Sequence, residues 1–358
     1  MLFRSRAVLA DFDAFPKLSF GGRKIHGQLT LAQLETLRGA RPQVLSNAAY
    51  VDAVMRRLAP GADASIDDPA EEQRYLGRAW AFAATLPPAF NSLKAHLLYR
   101  WIERDLERGE VDRDRFLRYL RLPRNAPHVI VRREDRGNVA NLGEDFSGRT
   151  PFSPVGDDRE VVEASLHLLL RDARGADEFF GVLEEAYVKR LFAEAKLLHG
   201  DPADAEQYIE MLGGPSALEA LRGRVELDFA RGSREFFGSD DEISLEVDVK
   251  NVSDLIVKVF EIDPVAVFDR LGHLGVSGLD LDGLVPSSER TFTYGQNALT
   301  RHRESFDFPS LARPGTFVVE LVGGGVSSRA VVRKGTLDRK STRLNSSHAN
   351  ISYAVFCL

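Results

Sequence analysis

The fold of the C-terminal part of the chain is decided by Ser244-Leu-Glu-Val-Asp-Val-Lys-Asn-Val252, which is soon followed by Leu255-Ile-Val-Lys-Val-Phe-Glu-Ile-Asp263. From Ile243, just before the first stretch, the apolar residues Leu245, Val247 and Val249 alternate with polar or charged residues. An alternation with a period of two is typical of a β-strand that has one buried face. The second stretch predicts a further strand from Leu255 to Ile262.

The same period appears on both sides of these two stretches. Upstream, Val225, Leu227 and Phe229 alternate with Glu226 and Asp228. Downstream, strands are predicted at 292–294, near Phe306 and Phe308, at 316–322 and at 328–333. The last two are separated by Gly323-Gly-Gly325, which suits a hairpin turn. About seven strands within roughly 110 residues is the number expected for a β-sandwich, so we predict an antiparallel sandwich over 224–337.

Upstream of Gly223 the period is that of a helix instead, from about Leu29 to Arg222. Thr30 with Gln33 predicts a capping box, and Asp68 before Pro69 predicts a helix start. Further predicted caps are Ser46, Asp112 and Ser216 with Glu219, and predicted stops are Gly39, Pro87-Pro88 and Gly109. Later helices are predicted at 160–174, 177–199 and 201–212. The sequence therefore predicts an α+β chain in which an all-α region over 29–222 precedes the sandwich.

Two parts of the helical region lack the helical pattern. Residues 6–28 are predicted to form an irregular lead-in, and residues 123–158 are rich in proline, glycine and polar side chains. We interpret 123–158 as a long connection with one possible strand, His128-Val-Ile-Val131.

The two ends of the chain resemble translated DNA of a sequencing library. Read back into codons, Asp338 to Leu358 follow a common adapter, and Met1-Leu-Phe-Arg-Ser5 resembles the opposite adapter end. We expect residues 1–5 and 338–358 to be artefacts, the latter disordered, and the remainder to be a fragment of a larger protein.

Composition narrows the possible functions. The chain carries a net charge of −6; leaving out Arg4, Arg339, Lys340, Arg343 and Asp338 makes it −9. This balance argues against a general nucleic-acid or anionic-membrane binder. The only cysteine, Cys357, lies in the adapter-like tail, so a thiolate nucleophile or a cysteine-bound metal is not expected. No apolar run approaches the ~20 residues of a membrane span.

Familiar catalytic and binding motifs are not found. No two histidines stand at helical i, i+4 spacing, and the sequence has no nucleophile elbow, dinucleotide-binding loop or phosphate loop. Asp280-Leu-Asp282-Gly283 resembles the start of a calcium loop, but position twelve is Thr291, so a polar turn is favoured. Asp11, Asp13 and Lys17 are interpreted as a solvated edge. We therefore assign no catalytic, cofactor-binding or metal-binding residue and expect no cofactor.

The β half resembles a known family. Ser244 to Val252, Leu255 to Asp263, Pro314-Gly-Thr-Phe-Val-Val-Glu-Leu-Val322 and Ser328-Arg-Ala-Val-Val-Arg333 are similar to the macroglobulin-type, immunoglobulin-like sandwich of bacterial alpha-2-macroglobulin-like proteins. The resemblance implies a large exported protein, periplasmic or extracellular, that binds proteases or other protein partners. The family's bait segment and thioester have no matching positions here.

Two hypotheses of function follow. The first is a non-enzymatic scaffold or protein-interaction fragment. Its partner would be a protein, with a protease as one candidate. Neither a nucleic-acid partner nor a membrane span is expected. The second makes the helical half a hydrolase-type enzyme domain with the sandwich as an accessory. Its candidate groups are His96 near Glu103 and His167 beside Asp172, although ordinary core or surface histidines are the more common outcome.

Overall fold

Helices fill the chain up to Gly223 and strands follow from Glu226 in the computed structural model of the protein. This confirms the predicted α+β fold class, a helical region followed by a β-sandwich. The structure describes all residues except 1–2, 16–17, 62–63, 65, 67, 200–204, 264–280, 282, 339–354 and 358. Two compact units are formed, by residues 1–192 and 193–358. We call them the helical unit and the sandwich unit.

The α-helices are α1 (Phe3–Ala14), α2 (Leu31–Ala40), α3 (Ala48–Leu58), α4 (Pro69–Ala83), α5 (Asn91–Glu107), α6 (Arg113–Leu120), α7 (Arg159–Arg171), α8 (Glu185–His199), α9 (Ala205–Leu212) and α10 (Pro215–Gly223). Short 3-10 helices lie at Lys24–Gln28, Pro42–Ser46, Pro88–Phe90, Arg133–Asn138 and Asp177–Phe179. No helix among the described residues is long and apolar enough to cross a membrane.

Four of the predicted helix ends are confirmed. Thr30 and Gln33 form both bonds of a capping box, and the side chains of Asp68 and Asp112 accept from backbone amides at the starts of α4 and α6. Gly109 follows the end of α5 in a left-handed conformation with φ of 70°. These ends could be predicted because each depends on a few neighbouring residues.

Other predicted ends were wrong by a few residues. Asn47, not Ser46, caps α3, and Gly39 lies inside α2. Gly214 is the cap in place of the predicted box at Ser216, because α10 begins at Pro215, two residues before the predicted start. The predicted helix at 177–199 is broken, since Gly181 has a φ of 81° and α8 begins only at Glu185. The predicted start at 201–202 lies outside the described residues.

The lead-in predicted to be irregular is largely helical. Residues 3–14 form α1, in which Val8 and Phe12 stand one turn apart and are buried in the core of the helical unit. A single pair at i, i+4 is too short a pattern to stand out in the sequence, and burial supplies the rest of the stabilisation.

The segment 123–158 contains one 3-10 helix and no α-helix. The predicted strand at His128–Val131 is reduced to an isolated bridge between Val129 and Leu183. Backbone bonds on either side of it, from Ile130 N–H to the Val182 carbonyl at 3.1 Å and from Glu184 N–H to the His128 carbonyl at 3.0 Å, fasten the segment to residues 182–184.

The sandwich consists of β1 (Glu226–Phe229), β2 (Phe236–Phe237), β3 (Ser244–Lys250), β4 (Asp254–Ile262), β5 (Ser288–Thr293), β6 (Arg301–Asp307), β7 (Gly315–Gly323) and β8 (Val326–Lys334). One sheet has the order β1-β3-β6 and the other β2-β8-β7-β4-β5. All pairs are antiparallel except β2 with β8. The alternating residues Leu245, Val247 and Val249 face the core between the sheets, as the period of two predicted.

The turn predicted at Gly323-Gly-Gly325 is confirmed. Gly324 and Gly325 have φ of 56° and 80° and connect β7 to β8. A two-residue hairpin with positive φ at both central positions follows the twist of the strands, and glycine adopts it without strain.

The C-terminal tail is described in part. Strand β9 (Thr336–Asp338) pairs antiparallel with β10 (Val355–Cys357), so the structure differs from the predicted disorder at 355–357. Val355 and Phe356 are residue types that favour strands. The interpretation of 338–358 as adapter stays a prediction.

Lys250 joins α10 to the sandwich. Although charged, it is fully buried at the end of β3, and its Nζ donates to the carbonyls of Leu221 and Arg224, both at 2.6 Å. Asn251 follows with a φ of 55°, and its side-chain amide donates to the Gly223 carbonyl at 3.2 Å. Because the last carbonyls of a helix have no partner within it, the strand caps the helix here.

A second contact extends this connection to α8. The Arg224 guanidinium lies 2.5 Å from the Glu194 carboxylate and 2.7 Å from that of Glu226. The sandwich unit therefore begins at residue 193, inside α8, whereas the change of period lies at Gly223.

Candidate functional site

A fully buried ion pair connects the segment after α6 to the residue before α7 in the helical unit. Arg124 and Asp158 have no exposed surface, and Arg124 Nε donates to Asp158 Oδ2 at 2.9 Å. The same oxygen accepts from the Tyr119 hydroxyl at 2.7 Å. Asp158 immediately precedes α7, and Arg124 lies four residues beyond α6. The pair therefore fastens the end of one helix to the start of another.

Arg124 also organises the backbone that leaves α6. Its Nη1 donates to the carbonyls of Leu120 at 3.2 Å and Leu122 at 3.0 Å, and also to that of Tyr119. Its guanidinium stands 4.2 Å from the centre of the Tyr119 ring. One side chain thus donates to three carbonyls at and just beyond the end of α6, which fixes the course of residues 119–123.

His128 completes the buried cluster. Its Nε2 lies 3.4 Å from Asp158 Oδ1, within ion-pair distance but without hydrogen-bonding geometry, and its ring stacks on Tyr187 with centroids 4.9 Å apart. Burial lowers the pKa of His128 against the opposing effect of Asp158, and Arg124 lowers it further. The ring is therefore neutral near pH 7. With His128 only 4% exposed, the cluster is closed to a substrate and supports the fold around it.

A cavity of about 360 Å³ opens beside this cluster. Its apolar lining is provided by Leu120, Leu122, Pro123, Ile130 and Val182. Three charged residues, Arg121, Arg132 and Asp135, also line it. Arg124 fixes one wall through the carbonyls of Leu120 and Leu122, and the backbone bond from Ile130 to Val182 fixes the others. We call this cavity the α6 pocket.

The two arginines of the α6 pocket are exposed, and neither forms an ion pair with any residue that the structure describes. They belong to a basic segment, since residues 113–136 contain eight arginines against three acidic residues in a chain of net charge −6. Three of the eight, Arg113, Arg115 and Arg124, are paired with Glu178, Asp105 and Asp158. Positive charge therefore remains available at the pocket.

A second cavity, of about 320 Å³, lies between Arg56, Pro60, Ile66 and residues 147–151. Its Arg149 is already paired with Asp52 at 2.9 Å and Glu144 at 3.6 Å. Arg56 forms no ion pair with a described residue, so this cavity has one unpaired guanidinium where the α6 pocket has two.

Three of the candidate groups of the enzyme hypothesis, His96, Glu103 and Asp172, contact residues other than the predicted partners. Glu103 pairs with Arg100 at 2.6 Å, while Nε2 of the buried His96 lies 2.9 Å from Thr150 Oγ1. Asp172 pairs with Arg171 at 3.0 Å, on the surface. No group of three or more His, Cys, Asp or Glu among the described residues could hold a metal ion.

The remaining candidates are surface groups or lie outside the described residues. Asp11 and Asp13 pair with Arg23 and Arg41. Lys17, Asp280 and Asp282 lie outside the described residues.

No pattern in the sequence predicted the buried cluster. Arg124 stands between Pro123 and Asn125 in a segment without a period, and Asp158 resembles an ordinary cap before a helix. Only the tertiary fold shows that these two residues meet.

His96 makes the stability of the helical unit depend on pH. Burial, with a smaller contribution from Arg100, lowers its pKa from 6.5 to about 4, against the opposing effect of Asp145. The unfolded chain therefore binds this proton at a higher pH than the folded chain, so stability falls as pH drops from about 6.5 toward about 4. We expect His96 alone to cost about 2 kcal/mol between about pH 7 and pH 5, measured by urea unfolding.

The control for this prediction is His96→Phe, which keeps a ring against Phe146 but cannot titrate. Its unfolding free energy should vary less over the same pH range. Some variation will remain, because burial also lowers the pKa of His26 and His128. An unchanged pH profile in the variant would contradict the assignment.

Comparison with known families bears on what these features serve. The profile of the actin-binding protein F N-terminal domain matches residues 6–225, more than half of the 358 residues. The chain belongs to this family. The first immunoglobulin-like domain of actin-binding protein F matches residues 255–335, which include β4 to β8. The sandwich is therefore an immunoglobulin-like domain.

A curated relative agrees with the family. Actin-binding protein F of Dictyostelium discoideum is 31% identical over 328 residues, which is 90% of this chain and 14% of that protein. The chain thus spans a small part of the length of its relative.

Two solved structures are also similar, both of alpha-2-macroglobulin from Escherichia coli. The MG0-NIE-MG1 fragment is 15% identical, with 34% of this chain and 42% of that chain covered and a TM-score of 0.25. The NIE-MG1 fragment is 14% identical, with 34% and 65% covered and a TM-score of 0.22. These scores carry no argument. The resemblance to macroglobulin-type domains is confirmed as far as an immunoglobulin-like sandwich. A bacterial origin stays a prediction.

Proposed function

We propose that this chain is a non-enzymatic protein-interaction region that binds filamentous actin as part of a larger protein. The observation that carries the proposal is the match of residues 6–225 to the actin-binding protein F N-terminal domain. The relative in Dictyostelium supports it by its name and by its 31% identity over nearly the whole chain.

The site geometry is compatible with this role. The α6 pocket has fixed walls and unpaired positive charge at its rim, which are features of a preorganised protein-binding surface. The one arrangement of a histidine with an acidic residue described above, His128 with Asp158, is closed to solvent. The hydrolase alternative requires such groups in an open cleft, and no observation here favours it.

The macroglobulin resemblance implies protease binding and an exported location. The comparisons give no support to a protease partner, and we do not propose one. A periplasmic or extracellular location stays a prediction, because it depends on that resemblance alone.

Co-sedimentation of the purified chain with filamentous actin tests the proposal. We expect the pelleted fraction to rise with actin concentration and to saturate, with a dissociation constant in the micromolar range, and to fall with added salt. The control is the same centrifugation without actin. If the chain stays in the supernatant at actin concentrations well above the micromolar range, the proposal is wrong.

A further inference from the structure

We propose that the α6 pocket binds an acidic, partly apolar segment of a protein partner. A carboxylate of the segment would lie between Arg121 and Arg132, and a neighbouring apolar side chain would contact Leu122 and Ile130. The inference rests on the proposed function only in taking the partner to be a protein.

The charges at the rim select this partner. Two exposed guanidinium groups without an ion pair among the described residues face a cavity with a single carboxylate, Asp135. A guanidinium binds a carboxylate through two parallel hydrogen bonds, a geometry that lysine cannot offer. The local excess of arginine attracts acidic groups although the chain as a whole is acidic.

The other lining residues exclude simpler ligands. Much of the pocket wall comes from the apolar residues Leu120, Leu122, Pro123, Ile130 and Val182, and such a wall suits a side chain better than a phosphate. Asp135 would repel the larger negative charge of a phosphate or a nucleic acid more strongly than that of a single carboxylate, and it can accept a hydrogen bond from the backbone N–H of a bound segment. Both features favour a peptide.

The pocket is also formed before binding. Arg124 donates hydrogen bonds to the carbonyls of Leu120 and Leu122, which line the pocket. A backbone bond connects two further lining residues, Ile130 and Val182. Binding therefore requires little ordering of the backbone, which is a main cost of recognising a peptide.

Charge reversal tests the proposal with a model ligand. The probe is a fluorescein-labelled twelve-residue peptide of alternating Glu and Leu, compared with one of alternating Lys and Leu. The double variant Arg121→Glu/Arg132→Glu should bind the Glu-Leu peptide at least about tenfold more weakly than the unmodified chain, measured by fluorescence anisotropy. The Lys-Leu peptide should not bind the unmodified chain.

The matched control is Arg78→Glu, which reverses an exposed arginine of α4 away from the pocket and should leave affinity unchanged. Thermal unfolding should be the same in all three proteins, and Arg121→Gln/Arg132→Gln replaces the double variant if it is not. Equal binding of the Glu-Leu peptide by the double variant, or no binding of it by the unmodified chain, would overturn the proposal.

Actin co-sedimentation of the same proteins separates the two proposals. Peptide binding without actin binding removes the proposed function and leaves the pocket in place. Actin binding together with failure of the peptide test removes the pocket and leaves the proposed function.

Discussion

Asp158→Asn is expected to lower the free energy of unfolding of the helical unit by about 3 to 5 kcal/mol, because it leaves the charge of Arg124 buried without a counter-charge. The substitution keeps the size of the side chain, so packing around Tyr119 changes little. Both tryptophans of the chain, Trp80 and Trp101, lie in the helical unit. Urea unfolding followed by tryptophan fluorescence therefore measures the effect where it occurs.

The neighbouring residue offers a matched control. Asp157 is exposed and accepts from the Arg159 amide at 2.9 Å, so Asp157→Asn should leave the midpoint nearly unchanged. Combining Asp158→Asn with Arg124→Met removes both charges and should be less destabilising than the single change. If the two asparagine variants unfold alike, the buried pair does not have the structural role assigned to it.

Lys250→Met should destabilise the junction of α10 with β3 by about 2 to 4 kcal/mol, because the buried Leu221 carbonyl and the partly buried Arg224 carbonyl lose a charged donor while the apolar stem is retained. Burial lowers the pKa of this lysine, and Glu226 partly opposes that effect. The side chain donates two short hydrogen bonds, both of which methionine removes. Hydrogen–deuterium exchange read by mass spectrometry should show faster exchange across 215–224 and 244–252.

The same substitution at Lys258 provides the comparison. Lys258 lies on β4 and is only partly buried. Exchange in the variant Lys258→Met should match that of the unmodified chain. If α10 remains protected from hydrogen exchange in Lys250→Met, the helix end is held by its other contacts, such as the Asn251 amide.

Local patterns predicted much of the fold. The period of two at Leu245, Val247 and Val249 located a strand, and the change of period at Gly223 coincides with the end of α10. Capping at Thr30 and Asp68 was predicted because the interacting atoms are two or three residues apart. Such features need no knowledge of the tertiary structure.

The candidate site could not be predicted in this way. Arg124 and Asp158 are 34 residues apart, and nothing in either neighbourhood announces a buried charge. The walls of the α6 pocket come from three separate segments, and the pocket exists only when their backbone bonds form. The sequence showed the arginines but not that two of them face one cavity.

The hydrogen bonds of Lys250 limit where recombination can cut this domain without breaking it. An immunoglobulin-like domain is often regarded as a module that recombination can move between proteins at the edges of its sheet. Here a cut at Gly223 would leave a buried ammonium without the Leu221 carbonyl that it binds. The module that can move intact therefore includes the helix before the first strand.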